Sequence, residues 1–149
     1  VLAFNRELDA EAAGEISKLF VEAIAAPDFT AEALEILGAK KNLRLLRVHP
    51  SADLLVTKSI SGGYLVQTAD LHRLDRSECV VKTRRAPSEE EWAALLFGWK
   101  VCKHVKSNAI VYARPGQSIS VGAGQMSRVD SVKVGAMKAV LPLAGAVLA

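Results

Sequence analysis

The chain has 149 residues, half of them hydrophobic and 23% charged; that apolar content offsets the entropy of ordering a chain and excludes disorder as the overall state. The length corresponds to about one domain, or part of one. Nineteen Lys and Arg against 16 Asp and Glu give a net charge of +3, which suits small anions and falls short of the basic density of a nucleic-acid binder.

Asp9 and Glu11 stand where a helix dipole favours negative charge. Ile16, Leu19, Phe20, Ala23 and Ile24 then recur at helical spacing, predicting one helix with a buried stripe up to the break at Ala26-Pro27-Asp28. Thr30 offers an N-cap hydroxyl to a short second helix with Leu34 and Leu37 on one face, closed by Gly38 and the cations Lys40 and Lys41. The two helices are expected to form a hairpin. After Asn42 the period shortens, and LRLLRVH, DLLVTKSI and GYLVQTA read as strands, the last two flanking a turn at Gly62-Gly63, with CVVKT as a fourth. Pro87-Ser88 opens a new helix, with Ser88 and Glu91 spaced as a capping box. Its buried face is predicted from Trp92, Leu95, Leu96, Trp99 and Cys102. NAIVYA and QSISVGA, joined at Arg114-Pro115-Gly116, read as a hairpin, and GAGQMSR leads through Gly122 and Gly124 into a helix starting near Ser127. No internal repeat, low-complexity segment or Pro/Gly/Ser-rich linker interrupts this alternation, which predicts a layered α/β unit.

The segment Gly122 to Arg128 carries the strongest local chemistry, because a glycine turn entering a helix aims unpaired N–H groups at an anion and Arg128 adds a fixed charge. A tight turn that needs glycine for its backbone angles accounts for the same residues. No GK[ST] follows, and a third glycine is missing, so the segment is neither a P-loop nor a dinucleotide fingerprint. Lys100, Lys103, His104 and Lys106 read most simply as a solvated helix end. The intervening hairpin would return the chain so that Asn108 and Arg128 line one pocket, where an uncharged amide donor and a guanidinium suit a phosphorylated, amide-bearing substrate. His49, His72 and His104 are scattered, and Cys79 and Cys102 lack a CxxC partner, so no catalytic metal or disulfide scaffold is expected and Cys102 reads as a core residue beside Trp99. No signal peptide opens the chain and no apolar run reaches the roughly 20 residues of a spanning helix, which predicts a soluble protein of a reducing cytoplasm without membrane contact. A first residue other than Met and a last stretch reading AVLPLAGAVLA suggest that both ends are cut.

KSNAIVYA and GQSISVGAGQMSRVDSVKVGAMKA, together with LAFNRELD, AIAAPDFTAEALEILGAKKNLRLL, GGYLVQ and APSEEEWAALLFGWKV, resemble the transformylase domain of the bifunctional AICAR formyltransferase/IMP cyclohydrolase family, over essentially the whole chain. The resemblance implies that residues 1–149 are the central part of that domain, truncated at both ends, in a cytidine-deaminase-like α/β fold with a mixed sheet, packed helices and no zinc. It implies formyl transfer from the co-substrate 10-formyltetrahydrofolate to the 5-amino group of AICAR, in a cytosolic homodimer whose full-length form also closes the product to IMP. Asn108 matches the family's asparagine and is the expected catalytic residue, hydrogen-bonding the nucleotide or the formyl group. Arg128 matches the substrate-contacting arginine, Val129 the apolar residue against the folate, and Glu22 an acidic residue that contacts AICAR. Gln125 and Met126 are expected to shape the turn and pack beneath it. Asp130 departs from the aromatic or histidine common in the family at that place. The family's catalytic Lys-His segment lies outside this chain and is not Lys103-His104, so the chain alone is expected to be inactive. The competing reading is a noncatalytic module that binds a phosphorylated metabolite or RNA; nucleic acid is disfavoured by an aromatic content of 5%.

Overall fold

The computed structural model describes residues 1–49 and 54–149. The backbone gathers into two units, Val1–Asp70 and Leu71–Ala149. The α/β class holds, with parallel and antiparallel pairing in separate small sheets among the described residues rather than in one mixed sheet.

In the first unit β1 (Leu2–Ala3), α1 (Ala10–Ser17), β2 (Ala23–Ala26), α2 (Ala31–Gly38) and β3 (Arg44–Arg47) alternate, and the strands form a parallel sheet in the order β1-β2-β3. The Asp9 carboxylate caps α1 by accepting from the Ala12 N–H at 2.9 Å, and the Thr30 hydroxyl caps α2 by accepting from Ala33 at 3.2 Å. The single long helix expected up to Ile24 is corrected: α1 ends at Ser17, and Ala23–Ala26 is the central strand. Ile24 pairs on both sides, with Leu2 and Leu45, and is fully buried, so strand pairing outweighs the local helical spacing. Leu19 and Phe20 consequently lie outside the core, Phe20 being 92% exposed. The expected helical hairpin is likewise replaced by two helices that pack together across an intervening strand. On α2 it is Ala33 and Leu37 that are buried, while Leu34 is exposed. Burying Ile24 and Leu37 stabilises the unit by ~2 kcal/mol each. The Phe29 N–H, and then the Arg47 guanidinium at 2.8 Å, hold the Asp28 carboxyl below its usual range at the end of β2. Strands β4 (Leu55–Ile60) and β5 (Gly63–Thr68) form the expected antiparallel hairpin, turning at Gly62, whose φ of 79° suits glycine.

The second unit has no strand at CVVKT, in correction of the expectation. Instead a single 3-10 turn at Arg76–Glu78 is capped by Asp75, and Val80, carried past it, is 70% exposed. Arg76 stacks 4.9 Å from the Trp92 ring centre and pairs with Glu89 at 2.6 Å, which fastens this irregular stretch to α3 (Glu89–Lys103). The capping box is formed: the Ser88 hydroxyl accepts from the Glu91 N–H at 3.2 Å and the Glu91 carboxylate accepts from the Ser88 N–H at 2.8 Å. The predicted apolar face of α3 is only half-buried, with Trp99 exposed; its buried residues are the small Ala94 and Gly98. Strands β6 (Ile110–Arg114) and β7 (Gln117–Gly122) form the expected hairpin, bulged between Tyr112 and Ala113, and α4 (Arg128–Lys138) follows with Ser127 as its N-cap. A short strand with no clear signal in the sequence, β8 (Val147–Leu148), lies antiparallel on the other edge of β6. No helix of the described residues is long and apolar enough to cross a membrane.

Helix α4 approaches the hairpin closely because glycines face each other across the contact. A Cβ on Gly122 would stand 1.8 Å from the Ser131 carbonyl oxygen and 3.0 Å from the Gly135 nitrogen. Three hydrogen bonds stitch the contact: Tyr112 Oη to Val132 O at 2.9 Å, Ser120 Oγ to Gly135 O at 2.6 Å and Ser131 Oγ to Asn108 O at 2.7 Å.

The tightness of this contact sets the response to substitution. Gly122→Ala must displace backbone and is expected to lower the unfolding free energy by about 3 kcal/mol, read from urea midpoints. Gly14→Ala in α1, where an added Cβ meets nothing within 4 Å, should raise it by about 0.5 to 1 kcal/mol; equal effects at the two sites would refute the close approach. Separately, the Arg85 guanidinium, bonded twice to Glu91 at 2.7 Å, and then the Ser88 N–H lower the Glu91 carboxyl from 4.5 to about 2. Because the folded value lies below the unfolded one, this stabilisation is complete above pH 4.5 and disappears as pH falls toward 2. The stability advantage over Glu91→Gln should therefore shrink across that window in thermal melts, and shrink at high salt because the pair is exposed.

Candidate functional site

The candidate site is built where the chain leaves α3, enters β6 and later returns from β7 into α4. The Gly124 N–H donates to Lys106 O at 2.9 Å and the Asn108 N–H donates to Gln125 O at 3.1 Å, so the approach to β6 and the approach to α4 lie side by side. The Asn108 carboxamide fixes them together: Nδ2 donates to Gln125 O at 3.0 Å and to Met126 O at 3.1 Å. An amide nitrogen has two hydrogens, and both are engaged. Its main-chain carbonyl accepts from the fully buried Ser131 hydroxyl. Asn108 is therefore not the donor to a ligand that its residue type invites; Oδ1 is the side-chain atom left for one.

The glycines divide the work expected of the loop. Gly124 has φ 68° and supplies the backbone angle, whereas Gly122 has no positive φ and supplies space for α4. Gln125 shapes the turn as expected, donating from Nε2 to Ala123 O at 3.1 Å. Met126 does not pack beneath it; the side chain is 99% exposed. Arg128 and Val129 occupy the first turn of α4 and are exposed, Ser127 having taken the Asp130 N–H at 3.2 Å. The N–H groups of a first helical turn have no intrahelical acceptor, so those of Arg128 and Val129 open toward the same side as any helix start. Asn108 and the start of α4 are thus brought together by the loop.

Glu22 belongs to the first unit, on the connection just before β2 rather than on a helix, with its main-chain carbonyl accepting from the Arg44 N–H at 3.0 Å. It lines an open hollow of about 370 Å³ with Phe20, Lys40, Lys41 and Arg44. Lys103 lies at the end of α3 and donates to His72 O at 3.2 Å, and His104 caps the helix. Cys102 is half-buried, its thiol 3.9 Å from Ala109 O.

Sequence reasoning missed Ser131. The available signal was the pair Ser131 and Gly135, small residues four apart on α4 and both buried, spacing that brings one helix face against a backbone.

Asn108→Asp tests the anchor. A carboxylate has no hydrogens to give and faces two carbonyl oxygens, so amide exchange across residues 124–127 is expected to rise at least about tenfold, with a loss of about 2 kcal/mol in stability. Unchanged exchange would mean that the carboxamide does not hold the loop.

The family model described as the AICARFT/IMPCHase bienzyme matches residues 1–138. The bifunctional purine biosynthesis protein PurH of Neisseria meningitidis serogroup C is 51% identical over 142 residues, covering 93% of this chain and 27% of that protein. PurH of Chelativorans sp. strain BNC1 is 55% identical over 143 residues with the same coverage, and PurH of Anaeromyxobacter sp. strain Fw109-5 is 47% identical over 156 residues, covering 97% of this chain and 30% of the relative. The chain thus spans less than a third of the length of the curated relatives it matches. A match over that much of the chain, with the Asn108 loop and the α4 start inside it, decides the matter: the chain belongs to the AICARFT/IMPCHase bienzyme family.

Proposed function

We propose that this chain is a central part of the transformylase domain of a bifunctional purine-biosynthesis enzyme, in a cytidine-deaminase-like fold, and that it takes part in formyl transfer from 10-formyltetrahydrofolate to AICAR. In that reaction the 5-amino nitrogen bonds to the formyl carbon, the bond from that carbon to the folate nitrogen breaks, the amine gives up a proton, and the departing folate nitrogen takes one up. The amine is a weak nucleophile because its lone pair is delocalised into the imidazole carboxamide, so orientation and charge stabilisation carry much of the rate. The observation that supports the reading best is the Asn108 anchor: with both amide hydrogens committed to Gln125 O and Met126 O, Oδ1 presents a fixed acceptor for an amine N–H. Arg128 would bind the anionic nucleotide beside the start of α4, Val129 would lie against the folate, and Glu22 would contact AICAR. The proposal includes a cytoplasmic homodimer and involves no catalytic metal, nucleic acid or membrane.

On this reading the chain by itself gives no formylation above background. In a full-length enzyme carrying this sequence, Arg128→Ala should raise the KM for AICAR about tenfold or more, equivalent to ~1.4 kcal/mol of binding, with a smaller effect on kcat. An unchanged KM in steady-state kinetics would remove Arg128 from the site.

A further inference from the structure

We infer, resting on the formyl-transfer reading of the site, that Ser131 is a positioning residue for that reaction: its hydroxyl holds Asn108 Oδ1 in register with the start of α4. Ser131 is completely buried and lies on α4 one turn after Arg128. A serine inside a helix ordinarily returns its hydroxyl hydrogen to the carbonyl four residues back. Here that carbonyl, Ser127 O, stands 3.5 Å from Oγ, whereas Asn108 O stands at 2.7 Å. A hydroxyl has one hydrogen to give, and the shorter contact takes it. Tyr112 and Ser120 bond across the same contact in the other direction, from the hairpin to helix carbonyls. The Ser131 bond leaves the helix and ends on a residue of the candidate site.

Both ends of this link are fixed. The main-chain carbonyl of Ser131 lies so close to the backbone of Gly122 that no Cβ fits between them, which stops α4 from moving inward. Asn108 is held by its carbonyl to the body of α4 and by its carboxamide to the loop before α4. A residue attached through both main chain and side chain has one orientation, and Oδ1 therefore has one direction. Removing the Ser131 hydroxyl leaves Asn108 O without that donor and lets Oδ1 shift relative to Arg128, yet it deletes no group that touches substrate. Such a shift spoils the alignment of the amine for attack, which is felt in kcat. Arg128 keeps its place on the helix, and with it the binding of the nucleotide.

Steady-state kinetics of a full-length enzyme carrying this sequence test the role. Ser131→Ala should lower kcat at least about tenfold and change the KM for AICAR less than about threefold. Ser120→Ala, which deletes the bond to Gly135 O elsewhere in the same contact, should lower the thermal midpoint comparably and leave kcat within about twofold. In an Asn108→Ala background, Ser131→Ala should cost less than about a further twofold, because the group it positions is gone. Equal kcat losses in the Ser120 and Ser131 variants, a loss carried by KM, or an undiminished loss in the Asn108→Ala background overturns the inference. If Ser131→Ala does not fold, Ser131→Cys decides, because a thiol is a weaker donor: kcat lowered at least about threefold at unchanged KM supports the role, and unchanged kcat overturns it. Absence of formylation by the unaltered full-length enzyme refutes the formyl-transfer reading and this role with it. Undiminished formylation by a folded Ser131→Ala enzyme refutes the role alone.

Discussion

Two hydrogens on one side-chain nitrogen organise the candidate site. Asn108 sits where the chain passes from α3 toward β6, and its carboxamide gives both hydrogens to the carbonyls of Gln125 and Met126, just before α4 begins. Those carbonyls belong to a loop that has left one strand and not yet joined a helix; the Asn108 main-chain N–H reaches Gln125 O, and the carboxamide adds a second bond there and bonds Met126 O as well. A side chain that satisfies both at once fixes the loop in register with the strand beside it. The Ser131 hydroxyl then ties the Asn108 carbonyl to the body of α4, and the position of the helix start is set by the position of the strand.

Close packing makes that arrangement rigid. Gly122 and Gly135 let α4 lie so near β7 and Tyr112 that backbone atoms occupy the space a Cβ would need, and polar side chains of the hairpin reach carbonyls of the helix directly. The Val132 carbonyl lies inside the helix and keeps a second lone pair for Tyr112. The Gly135 carbonyl lies in the last turn of α4, where the Ala139 N–H turns to Ala136 O and the Ser120 hydroxyl supplies a donor. The site is thereby carried on a strand and a helix, with its loop pinned between them, which favours precise placement of whatever Oδ1 and the first turn of α4 engage.

Much of the second unit was legible in the sequence because its signals are local. Ser88 and Glu91, Pro115-Gly116, and Ser127 with Asp130 are each read within four residues, and each element stands where those residues put it. The failures are non-local. Ile24 repeats with Ile16 at helical spacing, but its place is decided by Leu2 and Leu45, more than twenty residues away in each direction, and a helix cannot supply that pairing. Val80 and Val81 look like a strand, yet no neighbouring strand pairs with them among the described residues, while Asp75 and Arg76 organise a turn just ahead. The division at Asp70 and Leu71 leaves no mark in composition, because no Gly- or Pro-rich stretch accompanies it. The gathering of Asn108 with the start of α4 was legible, since a hairpin of known length must return the chain. The direction in which the Asn108 amide points was not, because it depends on carbonyls seventeen and eighteen residues on.

That direction constrains chemistry. An asparagine read from sequence offers donor and acceptor equally, and either would suit a ligand that carries both amide and amine groups. Once Nδ2 is committed to two carbonyls, rotating the amide to present hydrogens outward would face Oδ1 against Gln125 O and Met126 O, trading two hydrogen bonds for two repulsive contacts. That exchange costs several kcal/mol at a partly buried position. A partner of Asn108 must therefore bring its own hydrogen. On the proposed reading this selects the 5-amino group of the nucleotide over the formyl oxygen as the atom Asn108 addresses, and it assigns stabilisation of the developing oxyanion to other donors, the N–H groups at the start of α4 among them.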